Sequence, residues 1–150
     1  MNIPDILQTN RVILAHFDSY SAALLFTRWG KCLLAPEALP EGATPMSAPA
    51  QIGAEHDGVA VMQAAVARYG LNAAELVRMN DFDAWFATEG TPLRVHVLRF
   101  TGFEAPAELL ESQGASFKPI SELRGSAMSE LMLLREVFNI LVGGAQRATT

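Results

Sequence analysis

Gly58-Val59-Ala60-Val61-Met62-Gln63-Ala64-Ala65-Val66-Ala67-Arg68-Tyr69-Gly70-Leu71 is the stretch on which the reading of the fold turns. Val59, Met62, Val66 and Tyr69 fall at helical spacing, and Ala64, Ala65 and Ala67 are strong helix formers. The pattern predicts a helix over 58–69. Gly70 then stops it, because a residue without Cβ adopts the left-handed conformation that closes a helix C-terminus at little cost.

On the C-terminal side, Asn72-Ala73-Ala74-Glu75 reads as a short link. Leu76 to Ala87 reads as a strand pair or a bent strand, with Phe82, Ala84 and Phe86 alternating against Asp81, Asp83 and Trp85. Thr88-Glu89-Gly90-Thr91-Pro92 is a turn. Leu93 to Phe100 has period two, with Leu93, Val95 and Val97 on one face and Arg94, His96 and Leu98 on the other. Glu104 to Gly114 is a polar loop with room for one helical turn. Phe117-Lys118-Pro119-Ile120 is a short edge strand, since a proline is excluded from a central one. Ser121 caps a turn ending near Gly125, and Ser126 or Ser129 caps a last helix that turns Leu131, Leu134, Val137, Phe138 and Leu141 inward. Gly143-Gly144 ends that helix, and 145–150 is expected to fray.

On the N-terminal side, Leu7 to Phe17 has no clear period. Ser21 to Thr27 and Cys32-Leu33-Leu34 flank the turn Arg28-Trp29-Gly30-Lys31 and read as a β-hairpin. Pro36 to Pro49 holds four prolines and Gly42 and reads as a long loop. The sum is a single α/β (α+β) domain over 1–150, with 1–20 as an N-terminal extension.

Composition narrows the function classes. Of 150 residues half are apolar and 18% charged, which excludes disorder. No apolar run approaches the roughly 18 residues of a membrane span, and the N-terminus has no basic stretch ahead of an apolar run. Cys32 is the one cysteine, so no intrachain disulfide forms. These features lead to the expectation of a soluble cytoplasmic protein without a membrane partner. The net charge is −5 and no Lys/Arg cluster tracks a phosphate backbone, so no nucleic-acid partner is expected.

The order of elements is hairpin, proline-rich loop, helix ending in glycine, β-meander, short edge strand, closing helix. That order resembles the Nudix hydrolase family. Three segments carry the likeness. Ala22 to Ala35 is similar to the family's strand pair with a Gly-Lys turn. Leu39-Pro40-Glu41-Gly42 stands where the family has a Leu-Pro-Gly-Gly run. Phe117 to Leu123 with the last helix resembles its edge strand and closing helix. The resemblance spans roughly 21–141 and implies a mixed sheet sandwiched between helices.

It also implies a catalytic signature, G-x5-E-x7-R-E-U-x-E-E-x-G-U with U aliphatic. With its last glycine on Gly70, the first glycine falls on Pro49, the first glutamate on Glu55 and the arginine on Gln63. The three helical glutamates fall on Ala64, Ala67 and Arg68. Glu55, Gly70 and Leu71 match, and every helical carboxylate is missing. Pyrophosphate hydrolysis of this type needs magnesium to neutralise phosphate oxygens and activate water, and magnesium takes oxygen ligands. Alanine supplies none. Arg68 would set a cation against the metal, a repulsion on the order of 4 kcal/mol at 4 Å and an effective dielectric near 20.

The expectation is therefore a degenerate Nudix-like domain, with no metal or cofactor, that binds a small anionic, nucleotide-like ligand or a protein partner. Arg68, Gln63 and Glu55 are its candidate ligand-binding residues. One alternative is a hydrolase of nucleoside-diphosphate-linked compounds that uses magnesium and relocated carboxylates, with Glu55, Asp57, Glu108 and Glu111 as catalytic candidates. Another is a structural subunit, a homodimer through its edge strand or last helix.

Each candidate has a plainer reading. Arg68 is also a solvated helix arginine. Glu55, His56 and Asp57 are adjacent, so they do not all point one way and suit cap or loop contacts. Asp81 and Asp83 suit a solvated strand face. His16, His56 and His96 show no ligand spacing to one another or to Cys32, and Cys32 in an apolar run behaves as a small hydrophobe. Trp29 and Trp85 mark either a binding surface or packing under the long loop.

Overall fold

The computed structural model describes residues 5–18, 22–123 and 125–148. Seven strands form one mixed sheet in the order β3-β5-β6-β1-β2-β7, with β4 also paired to β6. The strands are β1 (Asn10–Asp18), β2 (Ala23–Trp29), β3 (Thr44–Met46), β4 (Leu76–Arg78), β5 (Ala84–Ala87), β6 (Leu93–Phe100) and β7 (Ala115–Pro119). The helices are α1 (Gly58–Tyr69), α2 (Ala107–Glu111) and α3 (Met128–Ala148). The sheet is sandwiched: Ile13, Phe26, Val95 and Val97 pack on Leu133, Leu134 and Val137 of α3. On the opposite face Val12, Leu14 and Leu98 pack on Val61, Ala65 and Tyr69 of α1 and Leu110 of α2.

Helix α1 has the bounds its periodicity predicts. The Asp57 side chain accepts from Ala60 N–H at 3.0 Å, and Gly70 closes the C-terminus at φ +66°. β6 is a strand as expected, and both of its faces are covered, so Arg94 and His96 are buried beside Leu98 rather than solvated. β7 is the edge strand expected at Pro119, paired with β2 alone.

Three features of the first half of the chain depart from expectation. β1 pairs in parallel with β6 and antiparallel with β2. The segment expected to be an N-terminal extension thus supplies an inner strand, and residues 1–4 lie outside the described residues. The expected hairpin partner of β2 is not Cys32–Leu34, which keeps a single bridge from Cys32 to Trp29. β2 pairs instead with β1 and β7, because both its faces carry apolar residues that need a place inside the sheet. Ser21, where the strand was expected to start, lies outside the described residues. The long loop contains β3, which adds to β5.

At the far end, α3 runs past Gly143-Gly144 to Ala148; Thr149 and Thr150 lie outside the described residues. Ser126 does not cap it, since its Oγ is buried without a partner and α3 starts only at Met128. Phe138 is 40% exposed instead of inward, because the buried stripe is Glu130, Leu133, Leu134 and Val137. The turn at Ile120–Glu122 has Pro119 at its cap position, without a side-chain cap bond, and Arg124 ahead of Gly125 lies outside the described residues.

The bent-strand reading of 76–87 is the one the structure takes. β4 and β5 both run antiparallel to β6 along the same edge, Leu76 opposite Phe100 and Phe86 opposite Leu93. Between them Met79 to Asp83 bulge out. Phe82 drops into the core at 0% exposure, and Asn80 and Asp83 are left at the sheet surface. A bulge re-aims side chains that a regular strand would alternate.

Candidate functional site

The bulge serves a buried polar network beneath the N-terminus of α1. His96 is fully buried. Its Nδ1 accepts from Arg78, with Nε and Nη2 each at 3.1 Å. The ring is therefore neutral with its proton on Nε2, which donates to Asn10 Oδ1 at 2.7 Å. Asn10 Nδ2 donates in turn to the carbonyls of Ile6 and Glu55, at 2.8 and 2.7 Å. Arg78 Nη1 donates to Asn80 Oδ1 at 2.9 Å.

Beside this chain, Arg94 Nε donates to Asp83 at 3.0 Å and Arg94 Nη1 to the His56 carbonyl at 3.0 Å. Trp85 Nε1 shares the same Asp83 oxygen at 2.9 Å, and the guanidinium of Arg94 lies 5.2 Å from the Trp85 ring centroid. His56 packs edge-on to Trp85 and donates from Nε2 to the Pro92 carbonyl at 2.8 Å.

Burial pushes the His96 pKa down to about 2, and the cations of Arg78 and Arg94 push the same way. Burial also lowers the Arg78 pKa, with Arg94 adding to it and Asp83 and Asp57 opposing. Perturbed groups of this kind often mark active sites. Here the imidazole has no surface exposure and both its nitrogens are engaged, so no substrate atom can reach it. The network clamps the Ala54–Asp57 turn and α1 to the sheet.

The residues singled out from sequence fall on the rim of that clamp or elsewhere. Glu55 contributes its backbone carbonyl to Thr9 and Asn10, while its carboxylate is exposed 3.6 Å from His56 Nδ1. Asp57 is spent as the N-cap of α1. Gln63 is exposed on α1. Arg68, at the other end of that helix, pairs with Asp5 at 3.3 Å. Glu108 and Glu111 are exposed on α2, whose end is tied to the end of α1 by a 2.9 Å bond from Gln113 to the Tyr69 carbonyl. Across 12 residues α1 spans about 18 Å, so Glu55 and Asp57 stand far from Glu108 and Glu111. Among the described residues no three His, Cys, Asp or Glu side chains gather as a cation site.

Asn10, Arg78 and Arg94 were not singled out from sequence. The available signal was a polar residue at every second position of a strand, Arg94 and His96, in a chain with enough apolar surface to cover both sheet faces. Trp85 is buried at 3% exposure, so it packs rather than marks a surface, and Trp29 lies 5.0 Å from Tyr69.

Cys32 is held away from nucleophilic chemistry. Glu130, on α3 and 3% exposed, accepts from Leu33 N–H at 2.9 Å and lies 3.6 Å from Cys32 Sγ. Burial first, and the Glu130 carboxylate after it, raise the thiol pKa from 9.0 to about 11. Thiolate is the reactive form, so at pH 8 alkylation by iodoacetamide is expected to run about 100-fold slower in the folded chain than in urea-unfolded chain. Equal rates would show that the thiol is not buried beside Glu130 in solution.

Arg11 is a second buried cation spent on structure. It donates to the carbonyls of Leu7, Asn10 and Ala38, and reaches Glu37 at 3.2 Å. It pins the start of the long loop to β1.

Three open concavities among the described residues lie on the α3 side. A groove of about 710 Å3 runs between β5 and α3, walled by Met46, Phe86, Met132 and Leu133, with Asp83 and Glu136 as its charged groups. A second of about 600 Å3 adjoins it through Met132 and Glu136, and reaches Ile120, Arg135 and Phe138. A recess of about 410 Å3 between β4 and α3 holds Arg99 beside Val77 and Leu141. No helix among the described residues is long and apolar enough to cross a membrane. No protein-family model matches the chain, and no curated protein matches it.

Proposed function

We propose that this chain is a binding domain on the Nudix-like architecture its sequence resembles, that it does not perform magnesium-dependent pyrophosphate hydrolysis, and that it engages a protein partner through the apolar groove between β5 and α3. The observation that carries the reading is the chemistry of α1. From Gly58 to Tyr69 it bears no carboxylate. The carboxylate at its start is the helix cap, and the arginine near its end is paired with Asp5. Magnesium requires several oxygen ligands around one point. The residues of this helix do not fit it.

The groove supports the partner side of the reading. It is concave, mostly apolar and large enough for several side chains, which is the common form of a binding site. Glu136 disfavours a free anion there, and Asp83 is already held by Arg94. An anionic ligand has one observation in its favour elsewhere: the Arg99 side chain is half-buried in its recess, and no hydrogen bond or ion pair engages that side chain among the described residues. Titration with inorganic phosphate and nucleoside diphosphates, comparing Arg99→Gln with the parent, separates that form from the first. A cytoplasmic location is part of the proposal.

The deciding experiment is a phosphate-release screen over nucleoside-diphosphate-linked compounds with magnesium and with manganese. The expected result is release no faster than in protein-free controls. Turnover that is abolished when Glu55, Asp57, Glu108 and Glu111 are all replaced would establish the relocated-carboxylate hydrolase instead.

A further inference from the structure

The apolar face of β6 ends on an arginine. Leu93, Val95 and Val97 pack toward α3, and Arg99, two residues further, shares their side of the sheet. Its cross-strand neighbours are Ala15 in β1 and Val77 in β4. The side chain is half-buried and lines the recess of about 410 Å3 between β4 and α3. Arg11, Arg68, Arg78 and Arg94 each reach an acceptor. The Arg99 guanidinium has five N–H donors and no acceptor for them among the described residues. None of its nitrogens is sealed from solvent, so a molecule in the recess can reach them.

We propose that this recess binds a small monocarboxylate with an aliphatic body. The inference rests on the ligand form of the binding-domain reading and names the chemistry of that ligand. The head group follows from the donors. A guanidinium offers two parallel N–H bonds that match the two oxygens of a carboxylate. Asn80 stands in the same lining. Its Oδ1 already accepts from Arg78 at 2.9 Å, so what it has left to offer is the Nδ2 donor pair.

The charge follows from what else lines the recess. Arg78 is there too, but its guanidinium is spent on His96 and Asn80. Asp81 is the carboxylate of the lining and makes no ion pair with Arg99. A phosphate dianion would thus meet one free guanidinium and one repelling carboxylate. A monoanion needs the guanidinium alone, and half the charge halves the repulsion. The body follows from the remaining wall. Val77, Met79, Ile140 and Leu141 offer apolar surface and no side-chain donor. A few polar groups that fix orientation, set in an otherwise apolar concavity, are the common form of a small-molecule site.

The test titrates the full chain with octanoate, acetate, octylamine and inorganic phosphate by calorimetry. Backbone amide NMR shifts locate the binding. Octanoate is expected to bind on the order of ten-fold more tightly than acetate, because its methylenes lie against the apolar wall. Shifts are expected at 77–81, 99 and 140–141. Octylamine, with the same body and the opposite charge, and phosphate are expected to give no heat. Arg99→Gln is expected to weaken octanoate on the order of ten-fold. Arg99→Lys keeps the charge and loses the fork, so its affinity is expected to fall between the two. Asp81→Asn changes an exposed residue and is expected to tighten octanoate by about two- to three-fold, since it removes the competing charge.

Equal binding of octanoate and octylamine, shifts elsewhere on the molecule, or affinity unchanged in Arg99→Gln would overturn the proposal. The octylamine contrast and Asp81→Asn decide it even if Arg99→Gln fails to fold. Phosphate binding that depends on Arg99, with no binding of octanoate, sinks this inference and leaves the ligand form of the reading standing. Heat from neither anion sinks both and leaves the groove between β5 and α3. Brisk magnesium-dependent phosphate release sinks the binding-domain reading itself.

Discussion

At pH 4.5 the protein is expected to be about 3 kcal/mol less stable than at neutral pH through His96 alone. The sign follows from where the proton binds. In the unfolded chain the imidazole titrates near 6.5, whereas in the folded chain it stays neutral until about pH 2. Between those values the unfolded state takes up a proton that the native state refuses. Stability is therefore complete above pH 6.5 and falls as the pH drops, at up to about 1.4 kcal/mol per unit.

The native state refuses the proton because the Nδ1 lone pair already accepts from a guanidinium and no surface exposure relieves the charge. Urea unfolding of the parent and His96→Gln, repeated from pH 7 to pH 4.5, isolates the contribution. Glutamine keeps an acceptor for Arg78 but does not titrate. The parent should lose stability more steeply by the amount given above. Parallel slopes would mean that His96 can be protonated in place, and that the chain from Arg78 to Asn10 is not held as described.

Replacing Gly58 with alanine is expected to cost about 3 kcal/mol, although alanine is the better helix former. A Cβ at Gly58 would collide with Arg78, meeting its Nε and lying 2.6 Å from Cζ and 2.8 Å from Cδ. An arginine on the surface would swing aside. This one is fixed by His96 and Asn80, so moving it empties the Nδ1 acceptor of a buried ring.

The same substitution in an Arg78→Ala background should be neutral or stabilising by about 0.5 kcal/mol, because the obstacle is gone and the helix preference remains. That reversal of sign is the diagnostic. If Gly58→Ala costs the same in both backgrounds, its penalty comes from the backbone at the helix start rather than from the arginine.

These two expectations concern residues that single-sequence reading treated unevenly. Helix α1 and its glycine stop were legible because caps and 3.6-residue periodicity are local properties of the chain. So was the edge position of β7, because a missing N–H at Pro119 excludes an inner strand wherever the chain goes. The lack of anionic oxygens on α1 needed only the residue types. Glu55 and Asp57 were placed near the correct element, but their roles as carbonyl acceptor in the clamp and as helix cap depend on partners that sequence spacing does not show.

The amino-acid sequence alone determined α1 and its stop, the alternation of β6, the edge strand, and the absence of ligands for a divalent cation on the helix where the family resemblance would put them. Only the tertiary structure decided that β1 lies inside the sheet, that β4 and β5 are one bulged strand along β6, that Arg78, Arg94, His96 and Asn10 form one buried network, and that two grooves meet along α3. The physical reason is range. Helix caps and prolines act within a few residues, whereas Asn10 meets His96 and Cys32 meets Glu130 across 86 and 98 positions. Those contacts exist only once both faces of the sheet have been covered.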